Sequence, residues 1–273
     1  MLIDVDATPA YAYTGGRPFD PARPVIVFVH GAESDHSVWA LQSRYLAHHG
    51  FAVLALDLPG HGRSAGGAIA SVEALADWLI ALLDAAGVSR ATLVGHSMGS
   101  LIALEAAARA PARVERLALV GTAFPMKVSD ALLAAARDDE PRAFDLINYW
   151  SHSTINARPG CPAPGFSVVV QNRRLMERQR PGVVLIDFQA CNAYAAGHQR
   201  ADTLACPVLF VLGQRDMMTA PRQARELIER CRAAAVRGGL PAPSVVEIAD
   251  CGHQIMSERP DALLGALRDF LAA

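Results

Sequence analysis

Mainly apolar runs recur down the chain: Val25–Val29, Phe51–Leu56, Ala91–Val94, Val208–Gly213, and two more interrupted by charge, Val114–Val120 at Glu115-Arg116 and Val245–Ile248 at Glu247. Strands without polar alternation are expected to be buried on both faces, as in a parallel sheet covered by helices. Between these runs the apolar spacing becomes helical. Trp39, Leu41, Tyr45 and Leu46 mark a helix over 37–49 that Gly50 closes, and Val72, Leu75, Trp78, Leu79, Leu82 and Leu83 mark one over 71–86 closed by Gly87. Further helices are predicted over 100–109, 221–231 and 260–270. Strand and helix in alternation predict an α/β architecture, a doubly wound and mostly parallel sheet. The first 24 residues, with Gly15, Gly16, Pro18 and Pro21 between short segments, fit an antiparallel edge hairpin.

The alternation lapses after Val120. From about Pro125 to Arg200 the pattern predicts helices alone, over Asp130–Arg137, Arg142–His152, Val168–Gln179 and Val183–Ala196. A loop dense in proline and glycine, Arg158 to Gly165, separates them into two pairs. The expected organisation is a core of residues 1–124 and 200–273 with a helical insertion at 125–199.

The chemistry gathers where strands end. Ala91–Val94 runs into Gly95-His96-Ser97-Met98-Gly99, and a helical pattern starts at once. This is a strand, a sharp turn with a serine at its apex, and a helix. Glycine two residues to either side lets the neighbouring backbones come close, and the helix aims its free N–H groups at charge developing near Ser97. Val25–Val29 ends in His30-Gly31-Ala32-Glu33, so the Ala32 N–H is expected to form an oxyanion hole with the Met98 N–H. Glu33 stands next to this point as a candidate pocket residue, and His30 and His61 are expected to brace turns.

A serine hydroxyl needs an imidazole to take its proton, and the imidazole needs a carboxylate to hold its tautomer and charged form. Two later strands deliver these groups at the same edge: Val208–Gly213 leads to Asp216, and Val245–Ile248 leads to Asp250-Cys251-Gly252-His253. His253 is the expected base and Asp216 the expected acid. Asp250 is the rival, but it lies so close to His253 that the turn tends to splay their side chains. Cys251 reads as a small buried residue.

Composition narrows the classes. Of 273 residues, 52% are hydrophobic and 19% charged, and 25 basic against 27 acidic residues leave a net charge of −2. Such a balance offers no field for nucleic acid or an anionic membrane surface. Five cysteines at wide spacing, without a C-x-x-C pair, argue against a disulfide framework or a metal site and for a reducing compartment. The start of the chain lacks the pattern of a secretory signal and no run is long enough to span a membrane, so a cytoplasmic protein without membrane insertion is expected.

Three motifs together, His30-Gly31, Asp57-Leu58-Pro59-Gly60-His61-Gly62-Arg63-Ser64 and Gly95-His96-Ser97-Met98-Gly99, resemble the α/β-hydrolase superfamily in order and spacing. The resemblance spans nearly the whole chain apart from the middle segment. It implies the order nucleophile, acid, base as Ser97, Asp216, His253, and a helical cap whose inner face selects a small-molecule substrate. Candidate pocket residues there are Met126, Phe144, Ile147, Trp150, Phe188 and Tyr194, with Met217 beside the acid, and His152 and His198 are expected at the surface. The implied activity is a cofactor-free, metal-free serine hydrolase, carboxylesterase-like, acting on a small to medium, partly hydrophobic ester through an acyl-enzyme. Two alternatives are a carbon–carbon bond hydrolase of aromatic ring-fission products and a ligand-binding protein retaining the fold.

Overall fold

A computed structural model describes residues 1–153 and 167–273. The predicted loop from Arg158 to Gly165, with Cys161, lies outside the described residues. The other four cysteines are free and buried.

The predicted hairpin is β1 (Leu2–Val5) and β2 (Thr8–Tyr13), which pair antiparallel. The buried runs become β3 (Val25–Val29), β4 (Ala52–Leu56), β5 (Ala91–His96), β6 (Val114–Val120), β7 (Val208–Gly213) and β8 (Ser244–Ile248). They form one eight-stranded sheet in the order β1-β2-β4-β3-β5-β6-β7-β8, parallel from β4 onward. Every residue of β3, β4, β5 and β7 is buried, which is why those runs carry no polar alternation. The edge strand β8 has one buried residue, Ile248, and it alone of the buried-run strands after β6 carries polar positions, Ser244 and Glu247.

Helices α1 (Ala40–His48) and α11 (Pro260–Ala272) pack on one face. On the other lie α2 (Val72–Ala85), α3 (Met98–Arg109) and α9 (Pro221–Gly238). The predicted helix over 37–49 is divided: Asp35 caps a 3₁₀ turn at His36–Trp39 by accepting from the Ser37 N–H, and α1 follows. The last core helix but one extends past Cys231 to Gly238. Ala234 and Ala235 continue its buried face, and left-handed Gly239 (φ 63°) ends it.

Between β6 and β7 stand α4 (Asp130–Asp138), α5 (Glu140–Ser151), α6 (Val168–Glu177), α7 (Val183–Ala193) and the short α8 (Gly197–Ala201), while α10 (Ile255–Glu258) precedes α11. Leu132, Ala143, Phe144, Ile147, Met176, Val184 and Phe188 give the inserted helices a small core of their own. The helix predicted to reach Ala196 ends at Ala193, because Tyr194 turns extended and donates its hydroxyl to Glu105 of α3 at 2.7 Å. Glu105, fully buried, also accepts from Arg200 Nε at 2.9 Å. Burial and that carboxylate push the Tyr194 pKa upward.

Two buried histidines brace the carboxyl edge of the sheet. His30 Nδ1–H donates to its neighbour's carbonyl, Gly31 O, at 2.7 Å, and Nε2 accepts from the Leu58 N–H at 3.0 Å, tying the loop after β3 to that after β4. His96 Nε2–H donates to the His253 carbonyl at 2.9 Å. Burial, reinforced by nearby His61, lowers the His30 pKa to about 4, and burial with nearby His253 lowers that of His96 to about 3. Both rings are therefore neutral in the folded protein but titrate near 6.5 once unfolded. Between those values the unfolded chain binds more protons, so stability falls as the pH is lowered. His61 and Glu33, whose folded pKa values are both raised, bind protons more tightly in the folded chain and oppose this slope. Between pH 7 and pH 5 each of the two histidines is expected to withdraw on the order of 2 kcal/mol, so the urea-derived stability of wild type should fall relative to that of His96→Asn by about that amount. An unchanged difference between the two proteins across that range would remove His96 as a cause.

Candidate active site

Ser97 occupies the turn between β5 and α3 with φ 52° and ψ −120°, a conformation disfavoured for any residue with a side chain. The surrounding packing holds it there. The Ser97 N–H donates to Val120 O of β6 at 3.0 Å. A Cβ on Gly95 would run into Gly99 O, and one on Gly99 into the carbonyl oxygens of Val29 and His30. The two glycines are thus required by contact between the elbow, its own helix and the end of β3. Ser97 is half-buried and lines a cavity, whereas Met98 is fully buried. Met98 is the first residue of α3, where a backbone N–H has no partner inside its helix.

Asp216 and His253 meet as their positions in sequence anticipate. Asp216 follows the end of β7, and His253 follows β8. Asp216 Oδ2 accepts from His253 Nδ1–H at 2.7 Å, and both side chains are buried. Asp216 Oδ1 accepts the Met218 and Thr219 N–H groups, each at 2.8 Å. Burial alone would raise the carboxyl pKa. The adjacent His253 and the Thr219 donors outweigh it, and the Asp216 pKa lies below the ordinary value. Asp250 is occupied elsewhere, its Oδ1 accepting from Arg215 Nε at 2.9 Å and Nη2 at 2.8 Å.

Sequence reasoning missed Thr219. Its Oγ1 lies 2.7 Å from Asp216 Oδ2, 2.9 Å from Gly121 O and 3.0 Å from His253 Nδ1. One hydroxyl proton cannot serve both acceptors, so Thr219 either donates to the carboxylate or donates to Gly121 O and shares the His253 proton. Either way it walls the imidazole into one orientation. The only sequence signal was a short polar residue in a loop just after an aspartate.

The backbone of His253 is held from the insertion. Ser151 O, at the end of α5, accepts from the His253 N–H at 2.7 Å and the Gln254 N–H at 3.1 Å. Glu258 accepts from Gly252 N–H and Ser153 N–H, both at 3.0 Å. His152, expected at the surface, is instead buried beside Asn148 O and Ser151 Oγ, because α5 runs down against the His253 loop. His198 is part-exposed, pairs with Glu226 at 3.3 Å and stacks edge-on against Phe124.

The cavity above Ser97 has a volume of about 320 Å³. Ala32, Met126, Trp150, Phe188, Met217 and Thr219 are among its lining residues, joined by Val128, Leu132 and Met218, which the sequence did not single out. Lys127 is the one charged lining residue among the described residues, and its Nζ donates to Asn192 O at 3.0 Å. Phe144 and Ile147 pack inside the insertion and Tyr194 against Glu105, so the cavity lacks all three. Glu33 also does not line the cavity. It is buried in the loop after β3 with φ 58°, and burial, with the Asp187 and Glu140 carboxyls nearby, raises its pKa well above the ordinary range.

Asp35, His36 and Asp57 form the one metal-sized cluster of ligand atoms among the described residues. Its oxygens are already engaged: Asp57 Oδ1 accepts from the His36 backbone and ring, Asp57 Oδ2 from the Arg63 N–H, and Asp35 from Ser37 and Arg178. The cluster ties the loops after β3 and β4 together. No described helix is long and apolar enough to cross a membrane.

Comparison with known proteins bears on this geometry. Residues 24–260 match the family model described as alpha/beta hydrolase fold. The crystal structure of an enol-lactonase from Burkholderia xenovorans LB400 superposes with a TM-score of 0.84 at 26% identity, covering all of both chains. A putative carbamate hydrolase from Klebsiella pneumoniae is 27% identical over 93% of each chain. A dihydrolipoyllysine-residue acetyltransferase component of an acetoin cleaving system from Pseudomonas putida is 40% identical over 40% of this chain. The chain spans only 28% of that relative's length. The chain therefore belongs to the alpha/beta hydrolase fold family.

Proposed function

We propose that the protein is a serine hydrolase of carboxylic ester-like bonds, with Ser97 as nucleophile, His253 as general base and Asp216 as its orienting acid. The observation that carries this reading is the 2.7 Å bond from His253 Nδ1–H to a buried Asp216, at the sheet edge where Ser97 projects into the cavity. With Nδ1–H committed to the carboxylate, Nε2 is the free lone pair that takes the Ser97 proton as Oγ attacks the substrate carbonyl. The Ala32 and Met98 N–H groups receive the oxyanion, supported by the positive end of α3. His253 then returns the proton to the leaving alcohol, and the acyl-enzyme on Ser97 is freed by a water that the same imidazole activates. That chemistry is acyl transfer to water, in keeping with the enol-lactonase and the putative carbamate hydrolase that this chain resembles.

In this reading residues 125–199 serve as a cap. Met126, Trp150, Phe188 and Met217 give the cavity an apolar wall suited to a small or medium, partly hydrophobic acyl group.

A fluorophosphonate probe should label the folded protein, and labelling should vanish in Ser97→Ala. Asp216→Asn is expected to lower kcat by roughly 10³–10⁴-fold, since an amide supports the wrong imidazole tautomer, while Asp250→Asn stays within about threefold. Absence of labelling overturns the mechanism, and the reverse ranking of the two aspartates reassigns the acid. Across p-nitrophenyl esters of rising acyl length, short and medium chains should turn over fastest and palmitate slowest. A ring-fission dienone hydrolysed faster than every ester would replace ester cleavage with carbon–carbon cleavage.

A further inference from the structure

The insertion reaches the oxyanion loop through one buried carboxylate that the mechanism above does not use. Asp187, on α7, is 1% exposed. Its Oδ2 accepts from the Glu33 backbone N–H at 2.9 Å and lies 2.9 Å from His61 Nε2. Its Oδ1 has no hydrogen-bond partner among the described residues. His61 Nδ1 in turn lies 3.0 Å from Pro59 O, a carbonyl that can only accept. Both ring nitrogens therefore face acceptors, which is the pattern of an imidazolium. Burial opposes that charge, but the Asp187 carboxylate outweighs it and the His61 pKa is raised. The result is a buried ion pair between the insertion and the loop after β4, with the loop after β3 hung on the same oxygen.

The point of attachment is informative. Glu33 is held in a left-handed backbone conformation (φ 58°), which is unfavourable for a residue that is not glycine. It directly follows Ala32, whose N–H is the oxyanion donor in the reading above. The peptide joining Ala32 to Glu33 carries the N–H that Asp187 holds, so its orientation constrains the Ala32 backbone. The adjacent residue on α7, Phe188, lines the cavity.

We infer that Asp187 is a positioning residue for the oxyanion hole: by holding the Glu33 N–H and the His61 ring together, it fixes the direction of the Ala32 N–H. The inference rests on Ala32 being an oxyanion donor. Asp187 touches no reacting atom. Its removal weakens stabilisation of the tetrahedral intermediate and leaves the Ser97–His253–Asp216 arrangement alone. Because Asp187 and Phe188 are neighbours on one helix, the seating of α7 sets both the acyl pocket and the donor that must meet the acyl oxygen.

Asp187→Ala and Asp187→Asn test this, the second retaining volume and one acceptor oxygen. Rates are expressed per active site titrated with the fluorophosphonate probe, so that unfolded protein is not counted. Relative to wild type, Asp187→Ala is expected to lose about 10–100-fold in kcat with KM within about threefold, and Asp187→Asn to fall between them. A purely structural role would not move the second readout, the rate ratio between a p-nitrophenyl ester and its thiono analogue. That ratio reports how well the hole fits oxygen over sulfur, and it should fall in both variants roughly in proportion to kcat. An unchanged kcat per titrated site, or a lowered kcat with an unchanged ratio, overturns the role given to Asp187. A wild-type protein that neither labels nor hydrolyses esters overturns the serine-hydrolase reading instead.

Discussion

The backbone at Ser97 is the constraint on which the site depends. A serine at φ 52° and ψ −120° is unfavourable in isolation, so surrounding structure must over-determine it. That support comes from three directions: the β6 carbonyl that receives the Ser97 N–H, the contact between Gly95 and Gly99, and the seating of Gly99 on the end of β3. Each contact demands that β3, β5 and β6 be neighbours in that order, which is the centre of the observed sheet. The parallel sheet therefore does more than bury apolar surface. It brings the ends of three strands close enough to hold one residue in a conformation it would not otherwise keep, with the loop after β3 at its side.

Around that elbow the protein chooses the charge of each histidine by what it places beside the ring. His30 and His96 are buried against neutral backbone groups and other imidazoles, and both are held neutral. His61 is just as buried but faces Asp187, and its charged form prevails. His253 faces Asp216, whose own charge is secured by two backbone N–H groups and Thr219. Burial is common to all four rings, so burial alone says nothing about role. A carboxylate partner favours the charged form of a buried ring, but it does not by itself tell a bracing histidine such as His61 from a reacting one.

Much of the fold was legible because burial on both faces leaves a direct signature: an apolar run has only one place to go in a sheet covered by helices. The elbow was legible for a related reason, since glycines required by close contact stand at fixed offsets from the serine. Asp216 and His253 were legible as residues just past strand ends, at the edge where parallel strands deliver their loops. Thr219 and Asp187 carried no comparable mark. Thr219 matters through a distance to His253 that spans 34 positions, and Asp187 through contacts with residues 126 and 154 positions away. Local periodicity does not encode such partnerships. His152 was misjudged for the same reason, its burial resulting from how α5 meets the loop that presents His253. The pocket was partly legible: apolar residues on inserted helices were a fair pool, but Phe144 and Ile147 of α5 pack into the insertion's own core, whereas Trp150 and Phe188 reach the cavity.

The inserted helices touch the machinery at two loops, and the chemistry of the contacts differs. At the His253 loop the contact is a helix-terminal carbonyl, Ser151 O, receiving two backbone N–H groups, which fixes where the loop sits but is indifferent to its side chains. At the loop after β3 the contact is a charged side chain, Asp187, holding a strained backbone N–H and the His61 ring at once. A backbone contact can survive many substitutions, whereas a buried charge that loses one partner is left uncompensated, a loss of several kcal/mol. The second junction is consequently the more demanding of the two. On the proposed mechanism, a change of substrate preference that repacks α7 around Phe188 has to leave Asp187 in place, because the helix that lines the cavity also bears on the loop after β3.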